Sequence, residues 1–124
     1  MRSTINKGYA IAAAFAVALA VSGVALSMAA NPAPQVIHVT ARKFEYTPRV
    51  ITLKKGVPVV LEFTSLDRLH GFNAPELGVR ADVLPGQTAR VNLVPQKTGT
   101  FPFHCDNFCG SGHANMTGEI VVVD

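Results

Sequence analysis

Apolar and polar residues alternate along six stretches of this chain, and each stretch predicts a half-buried strand. From Gln35 to Ala41, the side chains of Ile37, Val39 and Ala41 face one way, and those of Val36, His38 and Thr40 the other. Phe44-Glu45-Tyr46-Thr47-Pro48 leads into a short run from Val50 to Leu53, closed by a turn at Lys54-Lys55-Gly56. Val57 to Ser65 alternates again, with Val59, Leu61 and Phe63 inward and Glu62 and Thr64 outward. The pattern weakens between Asp67 and Pro85, where Gly71, Pro75, Gly78 and Pro85-Gly86 act as punctuation. It returns in Gln87 to Val94, with Val91 and Leu93 inward. Lys97-Thr98-Gly99 then turns into Thr100 to Cys105, where Phe101, Phe103 and Cys105 share a face. Gly118 to Val123 closes the chain as a Val- and Ile-rich strand. Short β-branched segments, frequent turns and no helical period after residue 35 predict an all-β fold, an antiparallel sandwich of two packed sheets. Pro102 is the awkward residue, because it cannot donate to a ladder; a bulge or an outward-facing nitrogen there reconciles it with the strand.

The first 30 residues follow a different pattern. Met1 to Lys7 holds Arg2 and Lys7 and no acid, and Gly8 to Ala30 then runs for 23 residues without a charge. This predicts a signal peptide, with Ser27 and Ala29 placed for cleavage after Ala29, or a single transmembrane anchor, since the run is long enough to span a bilayer. Either reading puts the rest of the chain in the periplasm, exported or anchored in the inner membrane. Residues 31–35, with Pro32 and Pro34, form a stiff linker, and 36–124 form the domain.

Charge changes the picture little. The chain carries 11 basic and 8 acidic residues, but Arg2 and Lys7 belong to the leader. The remainder has nine basic residues against eight acids, a net charge of +1, with no basic cluster larger than a pair. Nothing here suits a nucleic-acid surface.

The chemistry is concentrated in His104-Cys105-Asp106-Asn107-Phe108-Cys109-Gly110-Ser111-Gly112-His113-Ala114-Asn115-Met116. Both cysteines lie here, followed by a histidine and by the only methionine outside the leader. Thiolate, imidazole and thioether are the ligand set that selects copper. The alternative is a disulfide, the usual fate of paired cysteines in an exported protein. Closing so short a loop would add little stability, and it would leave the histidine and methionine spacing unexplained.

A copper site needs a further ligand, and His70 is the candidate: it sits in a polar turn just past the Val57–Ser65 strand, and loops at one end of a sandwich meet in space. His38 falls on an outward face and His104 points away from Cys105 by strand alternation, so both are read as non-ligands. Two architectures are open. A mononuclear blue-copper centre would use His70, one cysteine, His113 and Met116. A binuclear centre would bridge two coppers with both thiolates, placing one histidine on each, Met116 on one and a backbone carbonyl near Asn107 on the other. The binuclear arrangement uses both cysteines and is preferred. A copper carrier is the alternative function, although ligands from distant loops on a rigid sandwich suit retention better than delivery.

Cys105-x3-Cys109-x3-His113-x2-Met116, with Leu69-His70-Gly71-Phe72 upstream, resembles the CuA domain of cytochrome c oxidase subunit II, a cupredoxin of Greek-key topology. The resemblance runs from about Phe44 to Val123 and includes Pro75-Glu76-Leu77-Gly78 and Asp82-Val83-Leu84-Pro85-Gly86. Nitrous oxide reductase carries a similar loop. The resemblance implies a mixed-valence pair of copper ions held by His70, Cys105, Asn107, Cys109, His113 and Met116. It also implies a redox partner such as a cytochrome c or an oxidase subunit. Phe72, Phe103 and Phe108 are expected to limit water around the centre. The chain departs from the family in having no tryptophan, in Asn107 where a glutamate is common, and in at most one membrane segment.

Overall fold

The computed structural model describes residues 33–124 and a few isolated positions between 16 and 23; the predicted leader otherwise lies outside the described residues. Among the described residues nine strands form: β1 (Gln35–Arg42), β2 (Glu45–Thr47), β3 (Val50–Lys54), β4 (Val59–Ser65), β5 (His70–Ala74), β6 (Val79–Val83), β7 (Ala89–Leu93), β8 (Gly99–His104) and β9 (Thr117–Val123). Short 3-10 turns at Pro75–Leu77 and His113–Asn115 interrupt them. One sheet has the order β2-β1-β4-β7 and the other β3-β9-β8-β5-β6. Among the described residues no helix is long and apolar enough to cross a membrane.

The predicted strands are present, with ends moved by a residue or two. Their predicted antiparallel pairing holds in five pairs and is corrected in two. β1 pairs with β4 in parallel, and so does β3 with β9. The chain leaves the first sheet after β2, contributes β3 to the second, and returns to lay β4 beside β1 in the same direction. Alternation reports which side chains a strand buries, but not the direction of its neighbour.

The inward residues of both sheets meet in an aromatic core. Phe63, Phe72 and Phe103 are fully buried, with ring centroids 4.3 Å apart for Phe63–Phe72 and 5.1 Å for Phe72–Phe103. Tyr46 meets Phe103 edge-on at 4.9 Å. Pro102 is accommodated by register. Cys105 N–H donates to Met116 O, so in an antiparallel ladder the nitrogen three residues back turns away from β9. It turns towards β5, whose pairing with β8 is confined to Asn73–His104 and which ends at Ala74. No ladder bond is lost.

Candidate metal centre

At one end of the sandwich β4, β6 and β8 run out and β5 and β9 begin, which brings together the β4–β5 connection, the β8–β9 connection and the β1–β2 turn. His70 is not in a polar turn, as its surroundings in the sequence predicted. It is the first residue of β5, paired with Val83, and fully buried. The preceding turn is closed by Ser65 Oγ, which donates to Arg68 O, and by Arg68 N–H, which donates to Asp67 Oδ1 at 2.7 Å. This aims the Asp67 carboxylate at His70 Nε2, 2.6 Å away. A carboxylate only accepts, so Nε2 carries the proton, and in the neutral ring Nδ1 keeps its lone pair. That Nδ1 is buried and without a hydrogen-bond partner. Donor atoms of His70, Cys105 and Cys109, one from each, lie within 4.8 Å of one another, close enough to hold one metal ion.

The β8–β9 connection supplies the rest. Cys105 N–H to Met116 O at 3.0 Å closes its base, and the 3-10 turn with His113 N–H to Gly110 O and Met116 N–H to His113 O, both 3.1 Å, folds its far side. Cys109 Sγ becomes the hub, 3.6 Å from Cys105 Sγ, 3.5 Å from His113 Nδ1 and 3.7 Å from Met116 Sδ. The two sulfurs are not bonded to each other. Cys105 Sγ also lies 3.1 Å from Asn107 O and 3.3 Å from Gly71 N. All six predicted site residues are therefore gathered at one place. Cys105, Cys109 and Met116 are buried; His113 and Asn107 are half-exposed. His104 is exposed on the opposite side of β8 from Cys105. His38 is exposed, with Nδ1 3.2 Å from Glu62.

The electrostatics follow from burial. Burial pushes the Cys109 thiol up to about 11, with the neighbouring Cys105 adding to the effect. A metal-free Cys109 is thus protonated at neutral pH, and metal binding must displace that proton. For Asp67, desolvation raises the pKa, but the Lys43 N–H, His70 and Arg68 N–H that donate to it prevail and hold it at about 2. Burial pushes the Tyr46 hydroxyl up as well, with the two nearby cysteines adding to it.

Several contributors were not legible in the sequence. Tyr46 OH donates to Gly71 O at 2.5 Å and fixes the start of β5. Lys43 N–H donates to Asp67 Oδ2 at 2.7 Å, and the Phe44 ring covers Gly110 and Gly112, where any Cβ would collide with it. Asp67-x-x-His70 was a readable signal, since that spacing lets a carboxylate reach back to a ring nitrogen. Phe108 is corrected: Phe72 and Phe103 are fully buried, but Phe108 is 75% exposed, with its ring 5.6 Å from that of His113.

An orphan imidazole nitrogen, two thiols, a second imidazole, a thioether and a carbonyl oxygen form a soft donor set, closed from water on the Cys109 side. Copper fits it; calcium or magnesium, which need oxygen ligands, do not. The sandwich and this donor set together define a cupredoxin-type metal domain. The family description of a cupredoxin-like domain matches residues 11–122, and the chain belongs to that family. Its relatives include cytochrome c oxidase subunit 2 of Thermus thermophilus, 35% identical over 92 residues, which cover 74% of this chain and 68% of that protein. In structure it is similar to the periplasmic domain of subunit II of cytochrome oxidase from Bradyrhizobium japonicum, with a TM-score of 0.69 at 23% identity over 77% of this chain and 88% of that one. It is also similar to a copper binding protein solved in the apo form, with a TM-score of 0.57 at 30% identity over 71% and 86% of the two chains.

Proposed function

We propose that this chain is an electron-transfer protein of the CuA type, whose centre is a pair of copper ions held by His70, Cys105, Cys109, His113, Met116 and the Asn107 carbonyl. The observation that carries the reading is the Cys109 sulfur, which has Cys105 Sγ, His113 Nδ1 and Met116 Sδ all within 3.7 Å. A sulfur so surrounded is suited to bridging rather than to ending a ligand set. Bound copper supplies a one-electron donor and acceptor, alternating between Cu(II) and Cu(I). The residues do the rest. Asp67 holds the His70 tautomer, Phe72 and Phe103 exclude water from the buried side, and the rigid sandwich keeps the ligands in place through both oxidation states.

His113 and Phe108 supply the exposed edge at which a partner would exchange the electron. Leu69 and Leu84 lie beyond the His70–Val83 pair, and Leu66 follows Ser65, which bridges to Pro85. All three leucines are exposed, and with Phe108 they give this end an apolar surface. A redox partner such as a cytochrome c, or another oxidase subunit, is part of the proposal, supported by the relative named subunit 2 of a cytochrome c oxidase. So is a periplasmic location, supported by the uncharged run at Gly8–Ala30 and by the periplasmic origin of the similar structure.

Copper content and electron paramagnetic resonance test the centre. Two equivalent copper nuclei sharing one electron give a seven-line hyperfine pattern, whereas one cupric ion gives four. Cys105→Ser and Cys109→Ser should each abolish the seven-line signal, because neither variant can bridge twice. One copper per chain, with an undisturbed site in Cys105→Ser, would overturn the binuclear reading.

A further inference from the structure

Three residues separate Cys105 from Cys109, and no ladder or helix holds them. What holds the first two, Asp106 and Asn107, is a polar cluster on the outer side of the β5–β6 hairpin. Arg80 and Asp82 project from the same face of β6, two residues apart. The Arg80 guanidinium donates through Nε and Nη2 to the two carboxylate oxygens of Asp106, the Nη2 bond to Oδ1 being 3.0 Å. The same Nη2 donates to Asp82 Oδ1 at 2.7 Å. Asp82 Oδ1 in turn accepts from Asn107 Nδ2 at 2.9 Å, and Asn73 Nδ2 donates to Asp106 Oδ2 at 3.2 Å. The planar fork of arginine suits this two-oxygen grip on Asp106. Without it, two carboxylates would face each other beside the loop with no cation between them. Exposed ion pairs contribute little to stability, so the effect of this cluster is geometric. It grips both ends of the Asp106–Asn107 unit, whose carbonyl at Asn107 lies 3.1 Å from Cys105 Sγ.

We infer that Arg80 is a positioning residue for the metal centre, holding the Asn107 carbonyl towards the Cys105 sulfur through its clamp on Asp106 and Asp82. The inference rests on the copper reading above for its consequence, but not for its geometry. Arg80→Met removes the cation and the fork while keeping an unbranched stem. In the metal-free full chain, the NMR order parameters of the Asp106 and Asn107 amides should then fall from about 0.85 to below about 0.6, with β4 and β9 unchanged. In the copper-loaded chain, retention against a chelator should fall about tenfold, the usual loss when a group supporting a ligand is removed. The hyperfine splitting should change with it. The melting temperature should move by only a few degrees, as for an exposed substitution.

Unchanged order parameters at Asp106 and Asn107 would overturn the inference. So would lowered order parameters throughout β4 and β9 with a large drop in melting temperature, which would mark Arg80 as a general structural residue. Asp106→Asn cuts the same clamp from the loop side and carries the same readouts if Arg80→Met fails to fold. A wild-type chain that takes up no copper would refute the proposed function, while the order parameters of Asp106 and Asn107 would still decide the role of Arg80.

Discussion

Replacing Gly71 with alanine tests whether the two ligand segments are as tightly apposed as the structure has them. Gly71 is buried, follows His70, and lies against the Cys105 loop. Its φ is not in the left-handed region, so alanine meets no backbone strain there. On conformational entropy alone the substitution would stabilise by about 0.4–1 kcal/mol. Space decides otherwise. A Cβ at this position would collide with the Asp106 carboxylate and would sit 3.1 Å from Asp106 N and 3.2 Å from Asn107 N. The carboxylate cannot swing aside freely, because Arg80 and Asn73 hold it, and the two nitrogens are backbone. Overpacking of this kind costs about 1–3 kcal/mol, so the net loss should be about 1–2 kcal/mol. For a domain of this size that lowers the melting temperature by about 4–16 °C. Pushing the loop outward also lengthens Gly71 N to Cys105 Sγ, so copper retention should fall together with stability. Thermal unfolding of the metal-free protein followed by circular dichroism, with a chelator competition on the loaded protein, measures both. A variant at least as stable as wild type, with copper held equally well, would refute the close approach of the two segments.

Tyr46→Phe removes the donor to the buried Gly71 carbonyl and should cost about 1–2 kcal/mol, read as a lower urea midpoint at unchanged slope. Met116→Leu conserves volume at a fully buried site, so metal-free stability should change by less than about 1.5 kcal/mol. In the loaded protein the same variant should keep two coppers and raise the reduction potential, since a weak thioether donor to the oxidised centre is lost; loss of all copper would contradict this. The Asp67 carboxyl is held at about 2, below its ordinary 3.8, so its contribution is present above about pH 4 and is lost as pH falls towards 2. Melting temperatures of the metal-free protein across that window should fall less steeply in Asp67→Asn than in wild type; equal slopes would remove Asp67 from the account.

Much of the centre was legible because its chemistry is local. Cys105, Cys109, His113 and Met116 lie within twelve residues, and donor type and spacing are properties of the chain itself. The strand faces were legible for the same reason. A period of two marks buried side chains whatever the strand packs against, as Val59, Leu61 and Phe63 show by all being buried in β4. Between Asp67 and Pro85 that signal failed, although β5 and β6 are both there. Four of the five residues of β5 are buried, so it has no polar face to alternate with, and Gly71 and Asn73 resemble turn residues until the Cys105 loop is placed over them.

What only the tertiary structure decided are relations between segments far apart in the chain. Alternation could not give the parallel pairing of β1 with β4, because strand direction is set by where the chain crosses between sheets. Composition could not give the free nitrogen of His70, which depends on Asp67 having claimed Nε2 in the folded turn. Phe108 was expected inside for its hydrophobicity, but the loop closes with Cys109 inward and leaves its neighbour in solvent. The residue types of the loop determined which metal the chain can hold. The folding of β5, β6 and the β1–β2 turn against that loop decided how its ligands are held, because those contacts exist only once the two sheets have packed.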